Sequence, residues 1–330
     1  MRIVQFMASQ RWGGAEKVFV ELANELARNH EVIALLLRQT EYRERFADPV
    51  KVVELRAHPT SHNPLLVREL VCALRQLRPD IVHTHAAKAA LLIRRASLFC
   101  PVRHLATKHN ARKGRIFNRL PWVTTVSEEA CRSVLVRPGA TVRVINNGLQ
   151  PVPVPALPRS GPFSMISVGR LDAIKGFAEL IEQVARLPFA YRLSIIGTGP
   201  EEERLRGVIH RLAMQDRVFL EGFKDDVPVR MHQADLVVIS SHSEGFPKVM
   251  VEALFYAKVL ISTPVGGVVE VLPPELLAEQ HRLAEKIEQV HRDYPDCLAR
   301  FAALRRERAQ DFLLAAIVGK YEAVYREMLG

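Results

Sequence analysis

Two short segments of this 330-residue chain carry residues whose types and spacing suit chemistry. The first is Ser243-Glu244-Gly245-Phe246-Pro247-Lys248-Val249-Met250-Val251-Glu252-Ala253, which follows an apolar run and opens a helix. Pro247 suits a first helical turn, where its missing N–H costs nothing. The free N–H groups of such a turn, with the positive end of the helix dipole, attract an anion. Glu244 and Glu252 stand eight apart and can address different hydroxyls of one extended polar ligand, such as a sugar and a ribose. A cap and a solvated face explain the same two glutamates more plainly. The second segment, Ser167-Val168-Gly169-Arg170-Leu171-Asp172-Ala173-Ile174-Lys175-Gly176, joins a strand to a helix and holds two cations. Arg170 offers a fork and Lys175 a mobile point charge, a pair able to neutralise a departing diphosphate. Arg170 could simply pair with Asp172. Lys175, at a helix start that disfavours it, is harder to explain without function.

Other segments speak less distinctly. In Trp12-Gly13-Gly14-Ala15-Glu16 the glycines allow backbone amides to approach a phosphate, although a tight turn needs them nearly as much. Ile196-Gly197-Thr198-Gly199-Pro200-Glu201-Glu202 has the strand–glycine–helix order of a dinucleotide site, but Glu202 stands where a third glycine belongs. His83 and His85 would share a face only on a strand, and no third ligand follows at a persuasive spacing, so no metal is expected. His109 falls in a loop where it can donate to a substrate oxygen or serve structure alone, and His104 reads as structural.

Those segments need strands to aim them. Short apolar runs at 3–7, 32–37, 81–84, 123–126, 164–168, 192–196, 218–220, 236–239 and 259–262 are strands buried on both faces, and hence parallel. Stretches at 15–28, 65–77, 177–187, 201–214 and 248–257 repeat apolar residues at helical spacing. The alternation predicts a doubly wound α/β architecture. Five prolines within 149–162 deny helix and central strand, so residues 151–162 read as a linker between domains at 1–150 and 163–312. Ligands of such sheets lie beyond the carboxyl ends of the strands, which places the expected site in a cleft between the domains. The tail from Pro273 has no strand signal and reads as two or three helices, the last, at 313–330, expected to pack back on the first domain.

Composition narrows the partners. With 48% hydrophobic and 25% charged residues the chain is an ordinary globular protein of about two domains. Four scattered cysteines argue against a disulfide framework or a structural zinc and for a reducing, cytosolic setting. Neither a signal peptide nor a spanning helix is expected. The net charge of +10 is local to the first half, where residues 1–150 hold 24 Lys and Arg against 12 Asp and Glu. Between Ile81 and Ser127 no acidic residue occurs, while Lys88, Arg94, Arg95, Arg103, Lys108, Arg112, Lys113, Arg115 and Arg119 do. Such a field suits a phosphorylated glycolipid, an anionic membrane face or a nucleic acid, or is a solvated surface. Aromatic residues for stacking on bases are too few to favour nucleic acid.

Taken in order, Gly13-Gly14-Ala15-Glu16, Asp80-Ile81-Val82-His83-Thr84-His85, Thr125-Val126-Ser127, Val144-Ile145-Asn146-Asn147-Gly148, Val168-Gly169-Arg170 with Lys175-Gly176, Ile196-Gly197-Thr198-Gly199-Pro200, Glu244-Gly245-Phe246-Pro247 with Glu252-Ala253, and Gly266-Gly267-Val268-Val269-Glu270 resemble the retaining, nucleotide-sugar-dependent glycosyltransferases of family 4. The resemblance spans roughly residues 1–272 and implies the GT-B fold, two Rossmann-like domains facing across a cleft with a helical C-terminal tail. It implies that Arg170 and Lys175 hold the donor diphosphate, helped by amides near Gly13, Gly14 and Gly169 and over Phe246, Pro247, Lys248 and Val249. Glu252 would bind the ribose, Glu244 the donor sugar, and His109 would touch that sugar from the first domain. The stretch 221–227, with Phe223, would lie along the base. No cofactor or metal is implied, and Asp225-Asp226 is not a metal motif here. Past Glu270 the sequence departs from the family, passing from Val271-Leu272-Pro273-Pro274-Glu275 straight towards helix, so part of the donor wall is trimmed.

The expected activity is transfer of a hexose or N-acetylhexosamine from a UDP-sugar to a cell-envelope glycolipid or oligosaccharide of lipopolysaccharide type. Arg94, Arg95, Lys108, Arg112, Lys113 and Arg115 would face the acceptor or the inner surface of the cytoplasmic membrane. Alternatives are a GDP-mannose-dependent mannosyltransferase, a sugar phosphorylase, and a non-catalytic protein that binds nucleic acid or glycan.

Overall fold

The computed structural model describes residues 1–60, 62–112, 114–155 and 161–330. It contains two compact units. Unit 1 is Met1–Leu149 together with Leu313–Gly330, and unit 2 is Gln150–Phe312. Part of the proline-rich stretch, 156–160, and Lys113 lie outside the described residues.

Unit 1 begins β1 (Arg2–Met7), α1 (Gly14–Leu26), β2 (Glu31–Leu37), β3 (Lys51–Leu55), α2 (Pro64–Leu77), β4 (Ile81–His85) and α3 (Ala86–Ala96). It continues with β5 (His104–Lys108), β6 (Trp122–Thr125), α4 (Glu128–Arg132) and β7 (Thr141–Val144). The seven strands are parallel in the order β3-β2-β1-β4-β5-β6-β7. Strand β1 shows why, for five of its six residues are buried and its one polar member there, Gln5, is fully covered. Three strands carry no apolar run. β3 sits at the sheet edge with half-exposed residues, β5 reads His-Leu-Ala-Thr-Lys, and β7 is the short opposite edge. Asn63 caps α2 by accepting from the Leu65 amide, and Ser127 caps α4 by accepting from that of Ala130.

Unit 2 holds β8 (Phe163–Val168), α5 (Phe177–Val184), β9 (Tyr191–Ile196), α6 (Glu202–Arg211), β10 (Val218–Leu220), α7 (Val227–Gln233), β11 (Leu236–Ile239), α8 (Lys248–Tyr256) and β12 (Leu260–Ser262). Its five parallel strands run β10-β9-β8-β11-β12. The helices α9 (Leu283–Arg292) and α10 (Tyr294–Arg308) follow. Helix does not begin directly after Glu275: Leu277 first bridges to Ser262, and the Ala278 amide donates to the Ser262 carbonyl at 2.9 Å. A remnant of sheet therefore stands where the sequence suggested none.

The chain then returns to unit 1. Leu313 bridges to Leu149, and α11 (Leu314–Leu329) buries Ile317, Val318, Tyr321, Val324 and Tyr325 in the core formed with β1, β2 and α1. Gly148 permits that approach, since a Cβ there would meet Ile317 Cγ1 at 2.7 Å.

Candidate functional site

In both sheets the strand order reverses beside the first strand, between β1 and β4 in unit 1 and between β8 and β11 in unit 2. Chains leaving neighbouring strands in opposite directions open a crevice at that point. In unit 2 the crevice is flanked by 169–176, after β8, and 240–247, after β11, the two segments singled out for chemistry.

Backbone fixes these loops. The Leu171 amide donates to Thr198 O at 3.0 Å and the Glu201 amide to Leu171 O at 3.0 Å. Gly197 has φ +141°, and a side chain there would strike the Gly169 carbonyl, as one at Gly199 would strike that of Leu171. The two glycines therefore seat one loop against another, which accounts for the Gly-Thr-Gly pattern without a dinucleotide. Gly176, at φ +63°, lies against the Ser240 carbonyl, while Ser240 Oγ donates to Lys175 O at 2.9 Å. Gly266, at φ +44°, and Gly267 press on Glu244 O and the Phe246 ring, and the Gly267 amide donates to Gly245 O at 2.8 Å.

On this frame Lys175 and Glu244 meet. Lys175 Nζ donates to Glu244 Oε1 at 2.5 Å, with the side chains only 22% and 14% exposed, and Ser241 Oγ donates to the same oxygen at 2.6 Å. Lys175 thus ends a 3₁₀ turn, 173–175, with its charge balanced by the carboxylate rather than opposed to a dipole alone. Arg170 is exposed, 3.6 Å from Asp172, and keeps most of its guanidinium open. Pro247 is the N-cap of α8, and Lys248 and Glu252 lie one turn apart on it, both buried and neither without a partner. The Phe246 ring is buried against Phe312, leaving its main chain as the part a ligand could use. The Gly169 amide is already spent on Ile196 O, so Gly169 is scaffold rather than a free donor. Phe223 stands half exposed beside Gly222, whose carbonyl accepts from the Gly197 amide.

The crevice of unit 1 is different. Gly13, in extended conformation, caps α1, and Gly14 is exposed. Behind them His83 and His85 do share one face of β4, ring centroids 4.4 Å apart. His83 Nδ1 shares a 2.7 Å hydrogen bond with the Tyr325 hydroxyl, and Nε2 one of 2.6 Å with Thr107, itself bonded to Thr124. His85 reaches Gln5 Oε1 through Nε2 and His109 Nε2 through Nδ1, both at 3.2 Å. Burial holds His83 and His85 well below the usual imidazole range, aided by the neighbouring rings. It also pushes His109 down to about 4 and His104 to about 3. All four rings are therefore neutral at pH 7. Among the described residues no group of three or more His, Cys, Asp or Glu side chains is arranged to hold a metal. Gln5 and Tyr325 escaped the sequence reading. A lone glutamine inside the apolar β1 was the one available signal for Gln5, whereas nothing local marks Tyr325, 242 positions from its partner.

The basic residues of the first half separate in the structure. Arg112 and Arg115 are exposed after β5, and Arg94 and Arg95 are half-buried in the last turn of α3. Lys108 does not belong with them. It is buried, with Nζ bonded to Ser133 Oγ at 2.5 Å and lying over the Phe117 ring, and desolvation lowers its pKa. No helix among the described residues is long and apolar enough to cross a membrane.

Comparison with known proteins agrees with this architecture. Residues 12–151 match the family described as Glycosyltransferase Family 4, and residues 155–308 that described as Glycosyl transferases group 1. The lipopolysaccharide core biosynthesis glycosyltransferase LpsE of Rhizobium meliloti is 28% identical over 274 residues, 77% of each chain. LpsD of the same organism is 27% identical over 270 residues, 77% of this chain and 76% of its own. The crystal structure of Anabaena Alr3699/HepE in complex with UDP and glucose superposes with a TM-score of 0.86 at 21% identity, covering 98% of this chain and 99% of that one.

Proposed function

For a chain that is a glycosyltransferase of the GT-B fold, related across its two halves to family 4 and group 1, we propose transfer of a hexose or N-acetylhexosamine from a UDP-sugar to a cell-envelope glycan or glycolipid, with retention at the anomeric carbon. The observation that carries this reading is the meeting of Lys175 with Glu244 at the β8/β11 crevice, beside the open guanidinium of Arg170. One carboxylate and two cations on rigid loops suit a ligand that is a sugar at one end and a diphosphate at the other. HepE, which shares the fold, has been crystallised with UDP-glucose, and LpsE and LpsD are named for lipopolysaccharide core synthesis.

Retention through two inversions requires a free carboxylate nucleophile beneath the sugar. Glu244 is committed to Lys175 and Ser241 and is a poor candidate. In the proposed route the acceptor hydroxyl attacks from the face the diphosphate leaves. The sugar C1–phosphate oxygen bond breaks, the C1–acceptor oxygen bond forms, and the acceptor proton passes to a departing phosphate oxygen. Arg170 and Lys175 stabilise the charge that grows on the diphosphate by an amount on the order of several kcal/mol, without a metal. Glu252 takes the ribose, and amides near Gly13, Gly14 and the start of α8 assist. Arg112 and Arg115 draw the enzyme to an anionic acceptor or to the inner face of the cytoplasmic membrane.

Calorimetric titration with UDP, GDP and ADP in the presence of EDTA tests the reading. UDP should bind without metal, and Lys175→Ala should weaken it on the order of tenfold or more. Preference for GDP would redirect the donor to GDP-mannose, and no nucleotide binding at all would overturn the donor site.

A further inference from the structure

The loops that follow β1 and β2 are tied to each other more closely than a simple connection requires. Glu41 Oε2 accepts from the Trp12 amide at 3.0 Å, and the Glu41 amide donates to Gln10 O at 2.9 Å. Gln10 Nε2 donates to Arg38 O at 2.8 Å, and the buried Tyr42 hydroxyl donates to Ser9 O at 2.9 Å. Asn24 of α1 secures the second loop by donating to Arg45 O and accepting from the Ala47 amide. This framework displays a cation. The Arg45 guanidinium lies over the Trp12 ring, 4.4 Å from its centroid, and the Tyr42 ring packs 5.8 Å from the same indole. Main chain and head group of Arg45 are thus both fixed, although the residue is exposed.

The arrangement lacks an anion. Neighbouring Arg43 pairs with Glu54 at 3.4 Å, and one oxygen of Glu41 is engaged by the Trp12 amide. Arg45 forms no ion pair with any described residue, and neither do Arg11 and Arg38, exposed on the same two loops. A guanidinium laid on an indole keeps its N–H edge directed outward, where two oxygens of a phosphate or a carboxylate can meet it. Because the stack already orders the side chain, an arriving anion does not have to.

We propose that Trp12 and Arg45, with Arg11 and Arg38 adding charge, form a binding site for an oxyanion carried by a sugar, as a phosphate ester or a carboxylate, so that the acceptor is an acidic glycan. The site lies wholly within unit 1, just before Gly13 beyond the carboxyl end of β1, and uses none of the residues of the β8/β11 crevice. Its role as an acceptor site rests on the transferase reading above, whereas binding of the anion does not.

Trp122→Phe leaves Trp12 as the single tryptophan, whose emission then reports the site in the full chain. Glucose 6-phosphate and glucuronate should change that emission saturably, and glucose at the same concentrations should not. Arg45→Gln should weaken glucose 6-phosphate on the order of tenfold or more, and Arg45→Lys, which keeps the charge but loses the fork, should recover little of the loss. No response to either anion, an equal response to glucose, or an Arg45 variant that binds as wild type overturns the proposal. Inorganic phosphate that binds as tightly as glucose 6-phosphate would give the site to the free ion and overturn the sugar. If Trp122→Phe fails to fold, calorimetry of the same ligands, with tryptophan left intact, decides between wild type and Arg45→Gln. UDP binding should be unchanged in Arg45→Gln, and a matching loss of UDP would assign Arg45 to the donor and overturn a separate site. Failure of UDP to bind the wild-type chain falls on the donor reading and leaves the anion titrations to judge this one.

Discussion

The two units place a crevice at the same point of the same topology and furnish it in opposite ways. In unit 2 it is charged and partly open, with Lys175 on Glu244 and Arg170 exposed, and backbone contacts through Gly176, Gly197, Gly199 and Gly266 hold it. In unit 1 it is neutral and buried, and side chains hold it, running from Gln5 through His85 to His109 and from Tyr325 through His83 to Thr107. The contrast follows from what each material does well. Mobile cations near solvent can follow charge that moves between ground and transition state. Neutral rings in a dry core cannot, and serve instead to hold one another in place through hydrogen bonds.

If backbone packing supports one crevice and hydrogen bonding the other, the two should fail separately. Both tryptophans, Trp12 and Trp122, lie in unit 1, so their fluorescence reports that unit while circular dichroism reports both. The largest effect is expected from Gly197→Ala, which forces a Cβ onto the Gly169 carbonyl at a φ that disfavours it. It should cost unit 2 about 3 kcal/mol or more, seen in urea unfolding by circular dichroism with the fluorescence midpoint unmoved. A fluorescence midpoint that moves equally would erase the distinction.

Next comes acid. A ring whose folded pKa lies below its unfolded value of about 6.5 takes up a proton on unfolding, so lowering the pH favours the unfolded state until the folded pKa is reached. For His83, His85 and His104, all depressed by burial, the step from pH 7 to 6 should cost unit 1 about 2 kcal/mol together. Fluorescence-monitored urea midpoints at the two pH values measure this, and no change would mean that the rings are not buried neutral. Smallest is Tyr325→Phe, which deprives His83 Nδ1 of its partner and should cost unit 1 about 1.5 kcal/mol, read as a fall in the same urea midpoint. A loss confined to circular dichroism would sharpen nothing about unit 1 and would place the effect elsewhere.

How the two crevices could be read from sequence differed for the same reason. Lys175 stands out because a cation at a helix start has few structural excuses, whereas Glu244 and Arg170, each with a plain structural explanation, gain meaning only from the family motifs around them. Parallel strands such as Leu236–Ile239 announce themselves by being apolar on both faces. Strand β5 does not, because its polar residues His104, Thr107 and Lys108 are buried by bonding to one another's neighbours rather than by being apolar. The same burial removed Lys108 from the basic surface to which its charge seemed to assign it. Gln5 was visible only as an oddity in β1. Its partner His85 lies on β4, and the Tyr325 hydroxyl that bonds the neighbouring His83 comes from the far end of the chain, distances that no local pattern encodes.

Because α11 belongs to unit 1 while following all of unit 2, the order of synthesis is not the order in which cores can close. A ribosome finishes the whole of unit 2 while the β-sheet of unit 1 still lacks Tyr321 and Tyr325, and His83, though it has Thr107, waits without the Tyr325 hydroxyl. The half made first is the half completed last, so a nascent chain stalled before α11 exposes the wall of unit 1 that a chaperone would recognise.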